Sequence, residues 1–368
     1  MKRRPRHGAW LGLVLTACPG GGGSPRPPDP IGRIPAEDGA ASADVVKIAC
    51  GDFHTCALMK DHTLRCWGRN KSGELGDGSD SDRPRPVTVS GLNGVDDLAL
   101  GANFSCAKMI DKSVKCWGSG RILGDGKIVD KAPPTTIAGI SDVQQLRAGG
   151  YMICALTNGG DVKCWGLDPR PTGEPKGAVE LAVAGAHGCG RMSDGTVRCW
   201  GEGIWGSPVG KESFANPGVR KAKQIATGDG FGCALVETGA VMCWGRNDEG
   251  ELGTQPDSDN HPPAAAVPRV SGASQVAAAE SHMCAITGAD TVTCWGANDE
   301  GELGRRTRTI GEQPQAIENL HARQIALGAD HGCAMTPDGV VLCWGSNRNG
   351  QLGDGTTDRN LSPTRVTF

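Results

Sequence analysis

The sequence predicts an all-β protein assembled from seven copies of one small four-stranded unit. Three observations carry that prediction. Fourteen of the sixteen cysteines form seven pairs, each ten positions apart: Cys56 with Cys66, Cys106 with Cys116, Cys154 with Cys164, Cys189 with Cys199, Cys233 with Cys243, Cys284 with Cys294, and Cys333 with Cys343. Each second cysteine opens a Cys-Trp-Gly triplet, and successive triplets follow at offsets of 50, 48, 35, 44, 51 and 49 residues. Periods of this size indicate propellers, solenoids or arrays. Finally, glycine is abundant (57 of 368 residues) while only 4% of residues are aromatic, so the chain reads as one thin unit built many times, not as one large core.

Each repeat is a run of strand signals. A β-prone stretch such as VVKIACG or QIALGAD leads into the first cysteine, a hairpin follows, and the Cys-Trp-Gly triplet opens a glycine-rich loop. A proline- and valine-containing segment (RPRPVTV, QPQAIEN) ends the unit, giving about four short strands with turns at close intervals. No segment carries a helical period.

The hairpin fixes its own register. If Cys66 faces Cys56 across an antiparallel pair, the turn closes on three residues. Such turns end in a left-handed residue, usually glycine. The third loop position is His62, Lys112, Gly160, Gly195, Gly239, Asp290 and Gly339: glycine in four repeats of seven. Directly opposed β-carbons lie close enough for a disulfide, so each pair reads as a clip within its own repeat. Two residues before the second cysteine stand Leu64, Val114, Val162, Val197, Val241, Val292 and Val341. Directly after the first stand Ala57, Ala107, Ala155, Gly190, Ala234, Ala285 and Ala334. Neither face of the sheet is polar, the condition of a blade packed on both sides.

The combined pattern GDFHTCAL…DHTLRCWGRNKSGELGDG, and above all HGCAMTPDGVVLCWGSNRNGQLGDGT, resembles the regulator of chromosome condensation repeat family over residues 45–368. The resemblance implies a seven-bladed β-propeller of four-stranded antiparallel blades, its N- and C-terminal strands pairing to complete one blade. The repeats near Tyr151 and His187 depart from the family loop, with GLDPRPTG and GEGIWGSPVG in its place. The family includes nucleotide-exchange factors for small GTPases and a secreted propeller that inhibits β-lactamases.

The N-terminus points to export. MKRRPRH is a basic start and GAWLGLVLTA is apolar but too short to span a bilayer. Leu15-Thr16-Ala17-Cys18 resembles a bacterial lipobox, which implies cleavage before Cys18 and lipidation there; an ordinary signal peptide is the alternative. Residues 19–44 are Gly- and Pro-rich, with too few large apolar residues to fold. As a coil this tether spans roughly 25–30 Å. The expected organisation is a signal peptide over 1–17, lipidated cysteine and tether over 18–44, and propeller over 45–368. Even-numbered cysteine use agrees with an oxidising compartment. The expected location is the bacterial cell envelope, held by lipid at an outer-membrane periplasmic or surface face.

Removing residues 1–17 takes Lys2, Arg3, Arg4 and Arg6 from 38 basic residues and leaves 34 against 41 acidic ones. A mildly acidic chain without a basic run is a poor nucleic-acid binder. Zinc sites use cysteines two to four residues apart in two clusters, and redox centres use a single Cys-x-x-Cys; neither fits seven equivalent pairs. His54, His187, His282 and His331 share one repeat position, but Phe104, Met152 and Phe231 also occupy it, so packing explains it better than a metal ring. GDGSDSDRP (76–84) lacks calcium-loop spacing and reads as a solvated turn. Cys50 occupies a position filled elsewhere by Leu100, Ala148, Val183, Thr227, Ala278 and Leu327 and reads as a small buried hydrophobe, with an intermolecular bridge as the alternative.

No catalytic residues, metal or cofactor are assigned. The loops remain: candidate partner contacts are Trp205, Asp248, Glu249, Glu251, Asp299, Glu300, Glu302, Arg348 and Asn349. The expectation is a non-catalytic, monomeric scaffold binding a protein or a cell-envelope component. The alternatives are an inhibitor of an extracytoplasmic enzyme, and a propeller lyase or hydrolase with an axial site.

Overall fold

The computed structural model describes residues 44–119, 131–166, 174–201 and 217–368; Cys18, the tether and Trp205 lie outside them. Within these residues, twenty-six strands form seven antiparallel sheets. Blade 1 is β1 (Val45–Cys50), β2 (His54–Met59), β3 (Leu64–Gly68) and β4 (Arg83–Thr88); blade 2 is β5 (Val95–Leu100), β6 (Phe104–Met109), β7 (Val114–Gly118) and β8 (Ala132–Thr136). Blades 3 and 4 have three described strands each: β9 (Val143–Gly149), β10 (Met152–Thr157) and β11 (Val162–Trp165), then β12 (Ala178–Ala184), β13 (His187–Met192) and β14 (Val197–Gly201). Blade 5 is β15 (Ala222–Gly228), β16 (Phe231–Val236), β17 (Val241–Gly245) and β18 (His261–Ala266). Blade 6 is β19 (Gln275–Ala278), β20 (His282–Thr287), β21 (Thr291–Gly296) and β22 (Glu312–His321); blade 7 is β23 (Gln324–Leu327), β24 (His331–Met335), β25 (Val341–Gly345) and β26 (Asn360–Arg365). Innermost strands neighbour one another in sequence order, and β1 returns to β23. This is a seven-bladed β-propeller.

The hairpin register holds in every repeat. Each first cysteine stands directly opposite its partner on the neighbouring strand. All seven expected disulfides are formed, each within one blade. They are Cys56–Cys66, Cys106–Cys116, Cys154–Cys164 and Cys189–Cys199 in blades 1 to 4. Cys233–Cys243, Cys284–Cys294 and Cys333–Cys343 follow in blades 5 to 7. Their Cα atoms stand 4.0–4.1 Å apart. The third loop residue is left-handed throughout, in His62 (φ 63°), Lys112 (φ 67°) and Asp290 (φ 60°) as in the four glycines. Register overrides residue preference there, because a one-residue slip would turn every apolar side chain to the wrong face. Six of the seven triplet tryptophans are wholly buried between blades and Trp165 nearly so.

The ring closes differently from the expectation. β1 pairs with β2 and β26 with β25, so the chain ends complete separate blades and no blade is shared. Blades 3 and 4 also depart from four strands among the described residues. What holds neighbouring blades is a repeated clip nine residues before each first cysteine: Lys47, Asp97, Gln145, Glu180, Gln224, Gln275 and Gln324. At the seam, Gln324 accepts from Ile48 N at 3.1 Å and donates to Ile48 O at 3.0 Å. Gln275 does the same to Ile325, and Gln224 to Val276. Gln145 accepts from Leu181 N and Glu180 from Ile225 N, while Asp97 pairs with Lys47 and Arg147 across blades 1 to 3. A side-chain amide satisfies both orphan groups of a backbone strand that has no hydrogen-bonded neighbour on that side.

Candidate functional site

In each blade with four described strands, the turn between the first two strands and the loop between the third and fourth emerge from the same end. The described contact residues in blades 5, 6 and 7 therefore share one face, while Trp205 lies outside the described residues. At its centre the inner strands leave a cavity of about 390 Å³ to which every blade contributes, through Asp52, Leu100, Tyr151, Val183, Asp229 and Glu280 among others. The strand ends are drawn tight around it. Asp52 N donates to Gly101 O, Ala102 N to Gly150 O, Asp229 N to Glu280 O and Ala329 N to Asp52 O, each bond crossing to the next blade. Gly328 shows why glycine is needed at that rim: a β-carbon there would lie 2.4 Å from Gly51 O.

The mouth is electrically lopsided. Four residues before the first cysteine stand Asp52, Asp229 and Glu280 in blades 1, 5 and 6, against Ala102, Gly150 and Gly185 in blades 2 to 4. Asp330 adds a carboxylate in blade 7. Burial, with Glu280 and Asp330 adding repulsion, pushes the Asp52 carboxyl up to about 7. Burial, with Glu300 nearby, raises Asp330 as well. This acidic arc was legible as a repeat position but escaped sequence reasoning, because only the ring brings blades 5 and 6 beside blade 1.

The outer loops divide into surface and scaffold. Asp248, Asp299 and Arg348 are exposed. Glu249 and Asn349 are half-buried, and Asn349 donates to Asp82 at 2.9 Å. Glu300 is also half-buried and joins Arg348 (2.6 Å) and Arg359 (2.8 Å). Glu251 and Glu302 are a correction to the expected contacts: they are 0% and 3% exposed. Each folds back to accept the backbone N–H two residues earlier, at 2.9 Å, as Glu74 does from Ser72 and Gln351 from Asn349. Their own carbonyls receive the indole N–H of the next blade's tryptophan: Glu74 from Trp117, Glu251 from Trp295, Glu302 from Trp344, and Gln351 from Trp67 across the seam.

A buried asparagine organises each of these four loops. Asn70, Asn247, Asn298 and Asn347 are all 0% exposed, and each accepts from the backbone N–H five residues on. Arginine accompanies the buried glutamate in two loops, at 3.9 Å for Arg69–Glu74 and 3.1 Å for Arg246–Glu251. Blade 6 has Ala297 in that place, and burial pushes Glu302 up to about 7. Blade 7 has Ser346 and the neutral Gln351. The 76–84 stretch is a turn: Asp77 accepts from Ser79 N and pairs with Arg83.

The histidines are packing residues. His54 Nε2 lies 2.8 Å from Ser105 Oγ, and His331 Nε2 lies 2.9 Å from Thr55 Oγ1, each reaching into the next blade. Burial lowers His54, His282 and His331 to about 3 and His187 to about 4. Among the described residues one group of His, Cys, Asp and Glu has ligand atoms within metal-binding reach of one another, Cys50, His331 and Cys333. Cys333 is spent in its disulfide, so the group offers no second thiolate.

Stapled four-stranded sheets, interblade tryptophans and a ring around an axial cavity define a repeat-propeller scaffold. The chain belongs to the regulator of chromosome condensation (RCC1) repeat family. Two family profiles of that description match residues 45–74, 222–251 and 322–351, and residues 61–107, 238–286, 290–335 and 338–368. Human E3 ubiquitin-protein ligase HERC2 is 42% identical over 64 residues, 17% of this chain and 1% of HERC2. Human probable E3 ubiquitin-protein ligase HERC4 is 37% identical over 59 residues, 16% of this chain and 6% of HERC4. Among solved structures, human WBSCR16 superposes with a TM-score of 0.74 at 21% identity, covering 83% of this chain and 95% of that one. Prp20p of Saccharomyces cerevisiae gives 0.52 at 20% identity, covering 88% and 77%. At these identities the structural likeness shows the fold alone. The seven disulfides mark an oxidising, extracytoplasmic environment, and no helix among the described residues is long and apolar enough to cross a membrane.

Proposed function

We propose that this protein is an exported, lipid-anchored, non-catalytic scaffold that binds a protein or cell-envelope partner through the acidic sector of its loop face. The observation that supports this most directly is the arc of carboxylates around the axial mouth. Asp229, Asp248, Glu280 and Asp299 are exposed on one face, within blades 5 and 6. Such an arrangement steers and selects a partner carrying basic groups. Protein binding is also a property of a structural neighbour: Prp20p of Saccharomyces cerevisiae binds Gsp1p and histones. Anchoring rests on the resemblance of Leu15-Thr16-Ala17-Cys18 to a lipobox.

The test is capture from envelope extracts with residues 45–368 immobilised, beside the charge-reversed pair Asp248→Lys and Asp299→Lys. A specific protein retained by the first and lost by the second supports the reading; equal capture by both overturns it. Cys18→Ser is expected to release the chain from the membrane fraction, and unchanged retention would remove the anchor from the proposal.

A second reading has one feature in its favour. Asp52, held near 7 beside the axial cavity, has the proton affinity of a general acid–base group, which fits a lyase or hydrolase. Turnover abolished by Asp52→Asn would favour it over the scaffold. Inhibition of an extracytoplasmic enzyme is a special case of the first reading, and the captured partner decides it.

A further inference from the structure

Cys50 is the free thiol among the described cysteines, and its neighbourhood gives it a partner. It ends β1 in blade 1 and packs into the seam cluster that contains Cys333, Cys343 and Trp67. Its Sγ atom lies within 4.8 Å of both Cys333 Sγ and an imidazole nitrogen of His331. It is oriented by two weak contacts, donating to Ala326 O at 3.5 Å and accepting from Thr55 Oγ1 at 3.9 Å. Both Ala326 and Cys333 belong to blade 7. The thiol thus reaches across the seam where the ring closes without a shared blade, and it lines the axial cavity.

We propose that Cys50 and Cys333 form an alternative disulfide that covalently closes the propeller between blades 1 and 7. The step is thiol–disulfide exchange and needs no external oxidant. Cys50 gives up its proton to hydroxide reaching it through the cavity. The thiolate attacks Cys333 Sγ, the Cys50–Cys333 bond forms, and the Cys333–Cys343 bond breaks. Cys343 leaves as a thiolate and takes up a proton. The exchange replaces a clip within one hairpin by a bridge spanning nearly the whole propeller, and longer loops constrain the unfolded chain more.

The bridge is latent in the resting fold. Burial pushes the Cys50 thiol up to about 12, so little thiolate exists at neutral pH. Across the seam the neighbouring imidazole of His331 is kept uncharged by burial. Exchange therefore rises with pH, roughly tenfold per unit while the thiol remains protonated.

The decisive experiment uses the full chain carrying Cys343→Ser, exported and mapped as non-reduced peptides. The expected result is a Cys50–Cys333 peptide pair, with neither residue alkylated by N-ethylmaleimide in the folded protein. Both residues alkylated in that protein would overturn the proposal. Should the variant fail to fold, the unaltered protein is held at about pH 9.5, quenched in acid and mapped. A Cys50–Cys333 link with newly reactive Cys343 supports the exchange. An intact Cys333–Cys343 bridge, or equal release of Cys343 in Cys50→Ser, refutes it.

Discussion

Blades 5, 6, 7 and 1 and blades 3 and 4 are copies of one unit whose sequences part company after the Cys-Trp-Gly triplet. The first four each have four strands, a buried asparagine organising the loop, and a buried Glu or Gln whose carbonyl caps the next blade's tryptophan. Blades 3 and 4 keep the cysteine hairpin and the tryptophan but show three strands among the described residues. Family profiles match segments in blades 1, 2, 5, 6 and 7. Among the described residues the disulfide hairpin is common to all seven blades, whereas the asparagine-organised loop that joins one blade to the next is described in blades 1, 5, 6 and 7. The acidic mouth is drawn from that same sector.

Acid should expose this difference most strongly. His54, His282 and His331, all in blades 6, 7 and 1, are neutral in the fold down to about 3, whereas a histidine in the unfolded chain charges near 6.5. Between those values the unfolded state binds more protons, so stability is full above 6.5 and is lost as pH falls, at up to about 1.4 kcal/mol per unit per histidine. His187 of blade 4, neutral down to about 4, adds the same effect there, so hydrogen exchange at falling pH is expected to lose protection first in the histidine-bearing blades 1, 4, 6 and 7. Simultaneous loss in blade 3 would break the comparison.

Removing a loop organiser comes next. Asn347→Ala strips Leu352 N of its acceptor and leaves several groups of the 354–358 turn without their donor, for an expected loss of about 3 kcal/mol in urea unfolding. The matching change in an exposed hairpin of blade 3, Asn158→Ala, should stay within about 0.5 kcal/mol. Equal effects would mean the loops contribute no more than surface turns.

A finer probe separates blades 6 and 7. The folded value of Glu302, near 7, lies above that of an ordinary carboxyl at 4.5. Its contribution is neutral below 4.5, grows steadily more unfavourable as pH rises from there, and levels off above 7. Glu302→Gln, the residue type blade 7 already has at Gln351, should stabilise by at most about 3 kcal/mol at pH 8 and fade toward zero by pH 4.5. A pH-independent effect would show that packing, not charge, distinguishes the two. Smallest of all, reversing Asp248 and Asp299 should move stability by less than about 0.5 kcal/mol while altering only partner capture. A large loss of stability would place these residues in the scaffold.

The seven-fold count, the hairpin register, the cysteine pairing and the left-handed third loop position follow from sequence alone. They depend on contacts within ten residues, and local spacing encodes them. Even His62, Lys112 and Asp290 adopt the backbone that glycine takes elsewhere, because the apolar faces and the disulfide fix the register. Glu251 and Glu302 read as surface charge because nothing local marks a carboxylate that folds back under its own loop. The clip residues from Lys47 to Gln324 were equally visible as polar positions, but their partners lie in other repeats.

What only the tertiary structure decided is everything that depends on which blades meet. The ring sets Gln324 against Ile48, gathers Asp52, Asp229 and Glu280 around one mouth with Asp330 near enough to repel Asp52, and carries the Cys50 thiol to Cys333. It also shows separate first and last blades where a shared one was expected. A repeat sequence specifies its unit through short-range pairing, whereas closure is a property of the sum of small rotations between units, and no single repeat contains it.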